Sequence, residues 1–312
     1  MSDIKYAGEV ELKKLILISS SGTAIDLTEL VININIYESI FSSSMSGSIL
    51  IADTNNLSVN LPIIGQEYLR VKLNTPSLED KSIDYSENVF IVYKIKTRLS
   101  DTNMQVLELQ FTSPEFLRNN RIRVSKSYTD TADNIVEDIL LNEEHIGTKK
   151  DLYIEPTTGI RRVVVPNFHP YDIIANLATE SLSKENASPH YFFFENTKGF
   201  QFRVLDSLYK QPYQGEFVAS EAMKIDGENK RGNLENDYRR IINFTISHSN
   251  DTLIASRMGM LSSNLIKYNI FHKSYTQHSY NYFDNFKDFG RIDQNPIYNQ
   301  VTIDEKQNTL GD

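Results

Sequence analysis

The residues that could do chemistry are few and poorly placed for it. Six histidines occur, His145, His169, His190, His248, His272 and His278, and no cysteine. None of them has the His-Glu-x-x-His spacing that turns two imidazoles to one helix face for a metal. His272 and His278 stand six apart in a tyrosine-rich stretch, poor geometry for a shared ligand. Without cysteine there is no thiolate ligand, no thiol nucleophile and no disulfide. His169-Pro170-Tyr171-Asp172 sets an imidazole near a carboxylate, the pairing of a general base and its orienting acid. The same four residues also make a helix start, with proline in the first turn and an acid suited to the positive helix end, and that structural reading is preferred. Glu143-Glu144, with Asp133, Glu137 and Asp138, would supply the two carboxylates of glycoside hydrolysis. They fall on the polar side of an amphipathic helix, which is the pattern of a solvated face. Neither GxSxG, GxxxxGK[ST] nor GxGxxG is present. Arg118, Arg121, Arg123 and Lys126 form a basic run, and Arg161-Arg162 and Arg239-Arg240 are basic pairs. In an acidic chain they are expected to meet carboxylates within the fold or on a neighbour. No catalytic residue, metal or cofactor is expected, and the chain is read as not an enzyme.

The elements that hold these residues are mainly strands. Residues 9–19 read as an opening strand, and 24–32 lead into 31–73, the stretch around which the first part is organised. There Ile32, Ile34 and Ile36 alternate with Asn33 and Asn35, the period of a strand with one buried face. A serine-rich turn follows around Met45 and Gly47, then a short run from Ser48 to Ala52. After it, Leu69, Val71 and Leu73 alternate with Tyr68, Arg70 and Lys72. Residues 77–88 read as a long loop. Val89, Ile91, Tyr93 and Ile95 alternate with Phe90, Val92, Lys94 and Lys96, and pair as a hairpin with 106–111. This makes about seven strands, enough for one barrel. From Ser113-Pro114-Glu115 the pattern turns helical, with a capping serine, a proline and an acid. Asp130 or Thr131 opens a second helix, and 169–182 carry a third; RRVVV is a short strand, and YFFFE turns at Asn196–Gly199 into FQFRVL. Ile242, Phe244 and Ile246 suggest a further strand, 251–258 a helical turn, and 261–282 a pair of strands. The predicted fold class is therefore mainly β with an α+β insertion. Two antiparallel barrels are expected, the first from 1–112 and 206–240 and the second, incomplete, from 241–312, with an inserted α/β domain at 113–205.

Composition bounds the function class. The 312 residues are 40% hydrophobic and 23% charged, with no apolar run near the roughly 18 to 20 residues that cross a bilayer. No signal-peptide core opens the chain, and no membrane insertion is expected. The net charge of −9 aids solubility; it also argues against a phosphate-gripping surface, which needs a basic face.

A family resemblance runs through these blocks. YESIF, the serine-rich turn, SGSILIADTNNL and LPIIGQEYLRVKL resemble the first barrel of the central baseplate hub proteins of T-even-type contractile-tailed phages. FTSPEFLRNNRIRVSKSY, TADNIVEDILL, VVVPNFHPYDIIANLATESL and SPHYFFFENTKGFQFRVLDSLY are similar, in order, to that family's inserted domain. GMLSSNLIKYNIFHKSYTQHSYNYF is similar to the start of its second tail-tube-like barrel. The resemblance implies a homotrimeric ring of pseudo-six-fold symmetry, assembled in the host cytoplasm and sited in the virion tail baseplate. Its implied partners are copies of itself, the tail tube protein above, the central cell-puncturing spike protein below and the inner baseplate wedge. DNA passes the lumen during ejection without specific nucleic-acid binding. Family hubs continue well past the second barrel, whereas this chain stops soon after Asp284–Pro296, as a compact version, a truncation or a part completed by another chain. Asn33, Asn35, Tyr37, Arg70 and Lys72, on polar strand faces of the first barrel, are the expected lumen or subunit contacts; solvation alone would also explain them.

Two other readings compete. One is the hub of a non-viral contractile injection machine, for which no fused spike or β-helix repeat is found. The other is a cell-wall hydrolase on a β/α scaffold. The purified chain is expected to show no turnover of cell-wall polymers, with His169→Ala and Glu143→Ala indistinguishable from it; measurable hydrolysis lost in either variant would establish the hydrolase.

Overall fold

The computed structural model describes residues 10–20, 22–53, 64–74, 83–99, 105–185, 188–212, 217–219, 240–241, 243, 245 and 251–285. The chain separates into two compact units, one of residues 1–205 with 227–239, the other of 206–226 with 240–312. The fold is mainly β, as the alternation predicts.

In the first unit the strands are β1 (Glu11–Ile18), β2 (Ala24–Asp26), β3 (Val31–Tyr37), β4 (Ser46–Asp53), β5 (Tyr68–Asn74), β6 (Ile83–Asp84), β7 (Phe90–Leu99) and β8 (Gln105–Thr112). They form one eight-stranded sheet, ordered β2-β1-β5-β7-β8-β4-β3 with β6 beside β5. Every pairing is antiparallel. Leu15 and Leu17 near one end of this order and Ile34 and Ile36 at the other pack into a single core with Ile49, Leu69, Val92 and Phe111. A sheet whose two ends share a core is curled on itself, as the expected first barrel requires.

Two departures from simple alternation have local causes. A bulge between Val31 and Asn33 puts Val31, Ile34 and Ile36 against the core and leaves Ile32 51% exposed, not buried as its spacing predicts. A second bulge, between Val92 and Lys94, exchanges the inward face of β7: Phe90 and Val92 point in before it, Ile95 after it. The expected loop at 77–88 also contains β6, and Tyr85 beyond it is buried. Gly47 is required by a close approach. A β-carbon there would lie 2.2 Å from the Phe111 ring and 2.4 Å from the Asn35 carbonyl oxygen. The entry to β5 is held by Glu67, a wholly buried carboxylate accepting the backbone N–H groups of Ile64, Gly65 and Gln66 at 2.7, 2.9 and 3.0 Å.

The remainder of this unit is a helix-and-strand layer. It comprises α1 (Pro114–Arg121), β9 (Val124–Asp130), α2 (Ala132–Leu141), β10 (Leu152–Ile154), β11 (Arg161–Phe168), α3 (Pro170–Glu180), β12 (Tyr191–Asn196) and β13 (Gly199–Val204). β10, β13 and β12 form one sheet, β11 and β9 another. Ile135, Val136, Ile139 and Leu140 of α2 meet Ile173, Ile174 and Leu177 of α3 over Phe200 and Phe202 in a second core. The i,i+4 spacing predicts both helices. β9 escapes that kind of reading because only Val124 and Tyr128 of its seven residues are buried.

The helix starts use distant side chains. Ser113 does not cap α1; its hydroxyl donates instead to Glu195 Oε2 at 2.5 Å. The first N–H groups of α2, from Ala132 and Asp133, are taken by Thr157 Oγ1 at 3.0 and 3.3 Å. Asn119 Oδ1, on α1, accepts the Tyr171 N–H at the start of α3. These bonds satisfy donors that a local cap would otherwise take.

Sheet and layer are joined by a buried charge cluster. Lys150 Nζ lies 2.6 Å from Glu195 Oε1 and 2.8 Å from Glu115 Oε2, with the side chains 8%, 3% and 12% exposed. Glu195 Oε2 also accepts the Met45 N–H, at the entry to β4, at 2.9 Å. Phe41, before β4, meets Phe192 of β12 edge to face at 5.6 Å.

The short helix α4 (Leu205–Tyr209) spans the boundary between the units. In the second unit, β14 (Val218–Ala219) and β15 (Arg240–Ile241) form a short parallel pair. There α5 (Thr252–Arg257) is capped locally, Asp251 accepting the Ile254 N–H. β16 (Ser262–Asn269) pairs in full with β17 (Ser274–Asn281), as expected, and α6 (Tyr282–Asn285) follows. Ile242, Phe244, Ile246, most of 206–240 and the last residues lie outside the described set.

Replacing Lys150 by methionine strands two buried carboxylates and is expected to cost about 3–5 kcal/mol. Lys96→Met, which breaks an exposed pair with Glu108, should cost less than about 1 kcal/mol. Urea unfolding of the two variants measures the difference.

Candidate functional site

The residues expected to make contacts separate into two groups. Asn33, Asn35 and Tyr37 lie on β3, the last strand of the large sheet, and among the described residues nothing pairs with its outer side. Their side chains face away from the core, opposite Leu50, Ser48 and Ser46 of β4. Tyr37 is 58% exposed, and Asn35 Nδ2 reaches only Ser48 Oγ at 3.5 Å. With the bulged Ile32 they make a row of amides and large apolar groups beside an open backbone ladder, the arrangement that accepts another strand.

Arg70 and Lys72 are elsewhere. They lie on β5, an interior strand between β1 and β7, across from Ile16 and Lys14. Both side chains lie on the outer face of the sheet, and Arg70 has no ion pair among the described residues. Lys72 donates to Asp84 Oδ2 at 2.7 Å. That bond, helped by Ser86, lowers the Asp84 carboxyl to about 2 from its ordinary 3.8. The stabilisation belongs to the ionised carboxylate: it is complete above the ordinary value and lost as pH falls through the lowered one. Lys72 is thus already occupied, and the five residues do not converge on one site.

The second unit presents another uncovered surface. All eight residues of β16 and most of β17 are exposed. Ile266, Tyr268, Tyr275 and Gln277 share one face, Leu265, Lys267, Thr276 and His278 the other, and Phe271 at the turn is 94% exposed. A two-stranded ribbon with both faces in water is marginal alone, and exposed aliphatic and aromatic groups at this density mark a contact surface.

The groups weighed for chemistry have other employment. His169 Nδ1 lies 3.0 Å from the Asn119 carbonyl oxygen and 2.9 Å from that of Ile122, so this nitrogen carries the hydrogen and ties the end of α1 to the start of α3. Asp172, Glu143 and Glu144 are exposed. Asp133 is bound to Thr157; burial raises its pKa, and hydrogen bonds from the Thr157 hydroxyl and N–H bring it below the ordinary value. Asp138 takes Lys126 Nζ at 2.9 Å and the Tyr128 hydroxyl at 3.1 Å. His145, 4.0 Å from Asp138, is buried, and desolvation lowers its pKa. Among the described residues no three of His, Cys, Asp and Glu stand close enough to hold a metal.

Within the chain, Arg118 donates to the carbonyl oxygens of His145 and Glu143, Arg123 to that of Asn167, and Arg161 to that of Glu180; of the run from Arg118 to Lys126, among the described residues, only Lys126 meets a carboxylate. Glu67, Lys150 and Glu195 were not predicted. Nothing local distinguishes Lys150 and Glu195 from surface charges, since their partners are brought in by the fold, whereas Glu67 binds the N–H groups of the three residues before it.

No family model matches the chain, and no curated protein matches it. Among solved structures it is similar to the 43 kDa tail protein of prophage MuSo2 from Shewanella oneidensis, at 10% identity and TM-score 0.44, over 66% of this chain and 57% of that one. It is similar to prophage tail protein gp18 from Listeria monocytogenes EGD-e, at 10% identity and TM-score 0.42, over 88% and 69%. A third likeness is to the E. coli c3393 protein, described as a component of the type VI secretion system, at 11% identity and TM-score 0.32, over 62% and 46%. The chain thus spans 57% of the length of the first of these proteins and 46% of the last.

Lys72→Ala is expected to return the Asp84 carboxyl from about 2 toward 3.8. A carboxyl-carbon NMR titration of Asp84 measures it; an unmoved titration would show that Ser86 alone sets the value.

Proposed function

We propose that this chain is a structural subunit of a phage tail or related contractile injection machine, and more specifically the central baseplate hub. In this reading three copies close a pseudo-six-fold ring that joins the tail tube to the central spike, meets the inner baseplate wedge and lets DNA pass. The chain supplies surfaces, and the reading assigns it no reaction. Residues 1–112 with 206–240 are the first tube-like barrel, 113–205 the inserted domain, and 241–312 the second barrel in part.

The observation that carries the reading is the open edge of β3. A core lined by every strand of the sheet except β6 ends in a strand whose outer ladder is unpaired among the described residues and whose outward side chains include exposed Ile32 and Tyr37. Such an edge invites association, and cyclic closure makes the association finite. The ordered sequence blocks described above supply the choice of family. A net charge of −9 is consistent with a lumen that does not hold DNA, because phosphate contacts release counterions only to lysine and arginine.

Light scattering on the purified chain should give three times the 35.8 kDa protomer mass, and with the spike that mass plus the mass of the bound spike. Ile32→Lys with Tyr37→Lys, which leaves the core untouched, should return the protomer mass. A wild-type chain that stays single with and without the spike would refute the ring.

A further inference from the structure

A cleft of about 550 Å³ opens in the first unit between the curled sheet and α1. Tyr68 of β5 and Ile91 of β7 form one wall, with Leu117, Ile122 and Ile146 opposite. Tyr68 is 43% exposed, so the cleft is open on that side. Three charged side chains also line it, Glu115, Arg118 and Arg121.

Their bonds leave an uncompensated positive charge. Both oxygens of Glu115 are engaged, Oε1 by Thr148 Oγ1 at 2.9 Å and Oε2 by Lys150 Nζ at 2.8 Å. Lys150 is shared with Glu195, so these three groups together keep one negative charge, which offsets one of the two arginines and leaves one positive charge over. Arg118 uses Nε and Nη2 on two carbonyl oxygens, which carry no charge to balance it. Arg121, one helical turn on and on the same side, has no hydrogen bond or ion pair among the described residues. Two guanidinium groups beside apolar walls, in a chain of net charge −9, make a local exception that fits an anion on an apolar body.

We propose that this cleft binds an extended acidic segment of a partner protein. An aspartate or glutamate of the segment meets Arg118 and Arg121, and its apolar neighbours lie on Leu117, Ile122 and Ile146. The volume and apolar walls exceed what a free carboxylate or phosphate fills. A nucleic-acid strand has no aliphatic groups for those walls and is repelled by the acidic chain. The site does not depend on β3 or on ring closure, so its test and the mass measurement succeed or fail separately.

Fluorescence anisotropy on the whole chain tests it, with a fluorescein-labelled peptide of alternating leucine and glutamate as the probe and the same peptide with glutamine as its control. The glutamate peptide is expected to bind saturably, and the glutamine peptide at least about tenfold more weakly. Arg121→Gln, at an exposed position, should weaken the glutamate peptide by a similar factor with an unchanged thermal midpoint. Arg162→Gln, an exposed arginine of β11 outside the cleft, should leave binding unchanged. Equal binding of the two peptides, or wild-type binding by Arg121→Gln, would overturn the proposal. Displacement of the peptide by acetate at an ionic strength where chloride has no effect would assign the cleft to a free anion. An oligomer dissolved by Arg121→Gln would assign it to a second copy, and either of these last results also overturns the partner segment.

Discussion

One ammonium group, Lys150 Nζ, is shared by two carboxylates at the place where the curled sheet meets the helix-and-strand layer. Glu115 belongs to the first helix after β8, and Glu195 to the end of β12. Glu195 also takes the backbone N–H of Met45 and the hydroxyl of Ser113, so a single carboxylate touches the entry of β4, the exit of β8 and the layer's central hairpin. Burying three charges is costly unless each is matched and hydrogen-bonded. Here the matching groups come from four separated places in the chain. The arrangement is satisfied only when sheet and layer are both folded and correctly set against each other, and that makes it a specifier of their geometry.

This rigid junction gives meaning to the surfaces around it. Among the described residues β3 ends the sheet with its ladder open, and the strand before β4 leads to Phe41, which leans on Phe192 of the layer. A free edge in a soluble chain is a hazard unless something covers it. The same logic applies to the β16–β17 ribbon, whose aromatic and aliphatic side chains lie in water on both faces. Side chains that would serve catalysis are instead used as staples: His169 joins α1 to α3, and Thr157 holds the start of α2 and Asp133 together. The proposed assembly role rests on the uncovered surfaces of β3 and of the ribbon.

Much of the architecture was legible from period alone. Leu107, Leu109 and Phe111 alternate inward without interruption, and β8 follows them. Ile135, Val136, Ile139 and Leu140 recur at helical spacing and form the buried stripe of α2. Periodicity failed where a bulge intervened, at Val31–Asn33 and Val92–Lys94, because one extra residue shifts every later side chain to the other face. It failed again at β9, a strand with two buried residues. Of the residues expected to make contacts, Asn33, Asn35 and Tyr37 were legible as an outward face; that β3 would be an edge was not, since strand order is not written in alternation.

The amino-acid sequence by itself determined the mainly β character, the positions of most strands and helices and the absence of cysteine chemistry, because these depend on residue type and on repeats a few residues long. Only the tertiary structure decided the partners of Lys150 and Glu195 and of the first N–H groups of α2 and α3. Ser113 reads as a cap and serves Glu195; Thr157 and Asn119, which local pattern does not mark, accept the first N–H groups of helices far from them in the chain. The physical reason is range: a hydrophobic period is a local property, whereas a buried carboxylate or an unfilled helix N–H takes whichever partner the packed fold brings within about 3 Å.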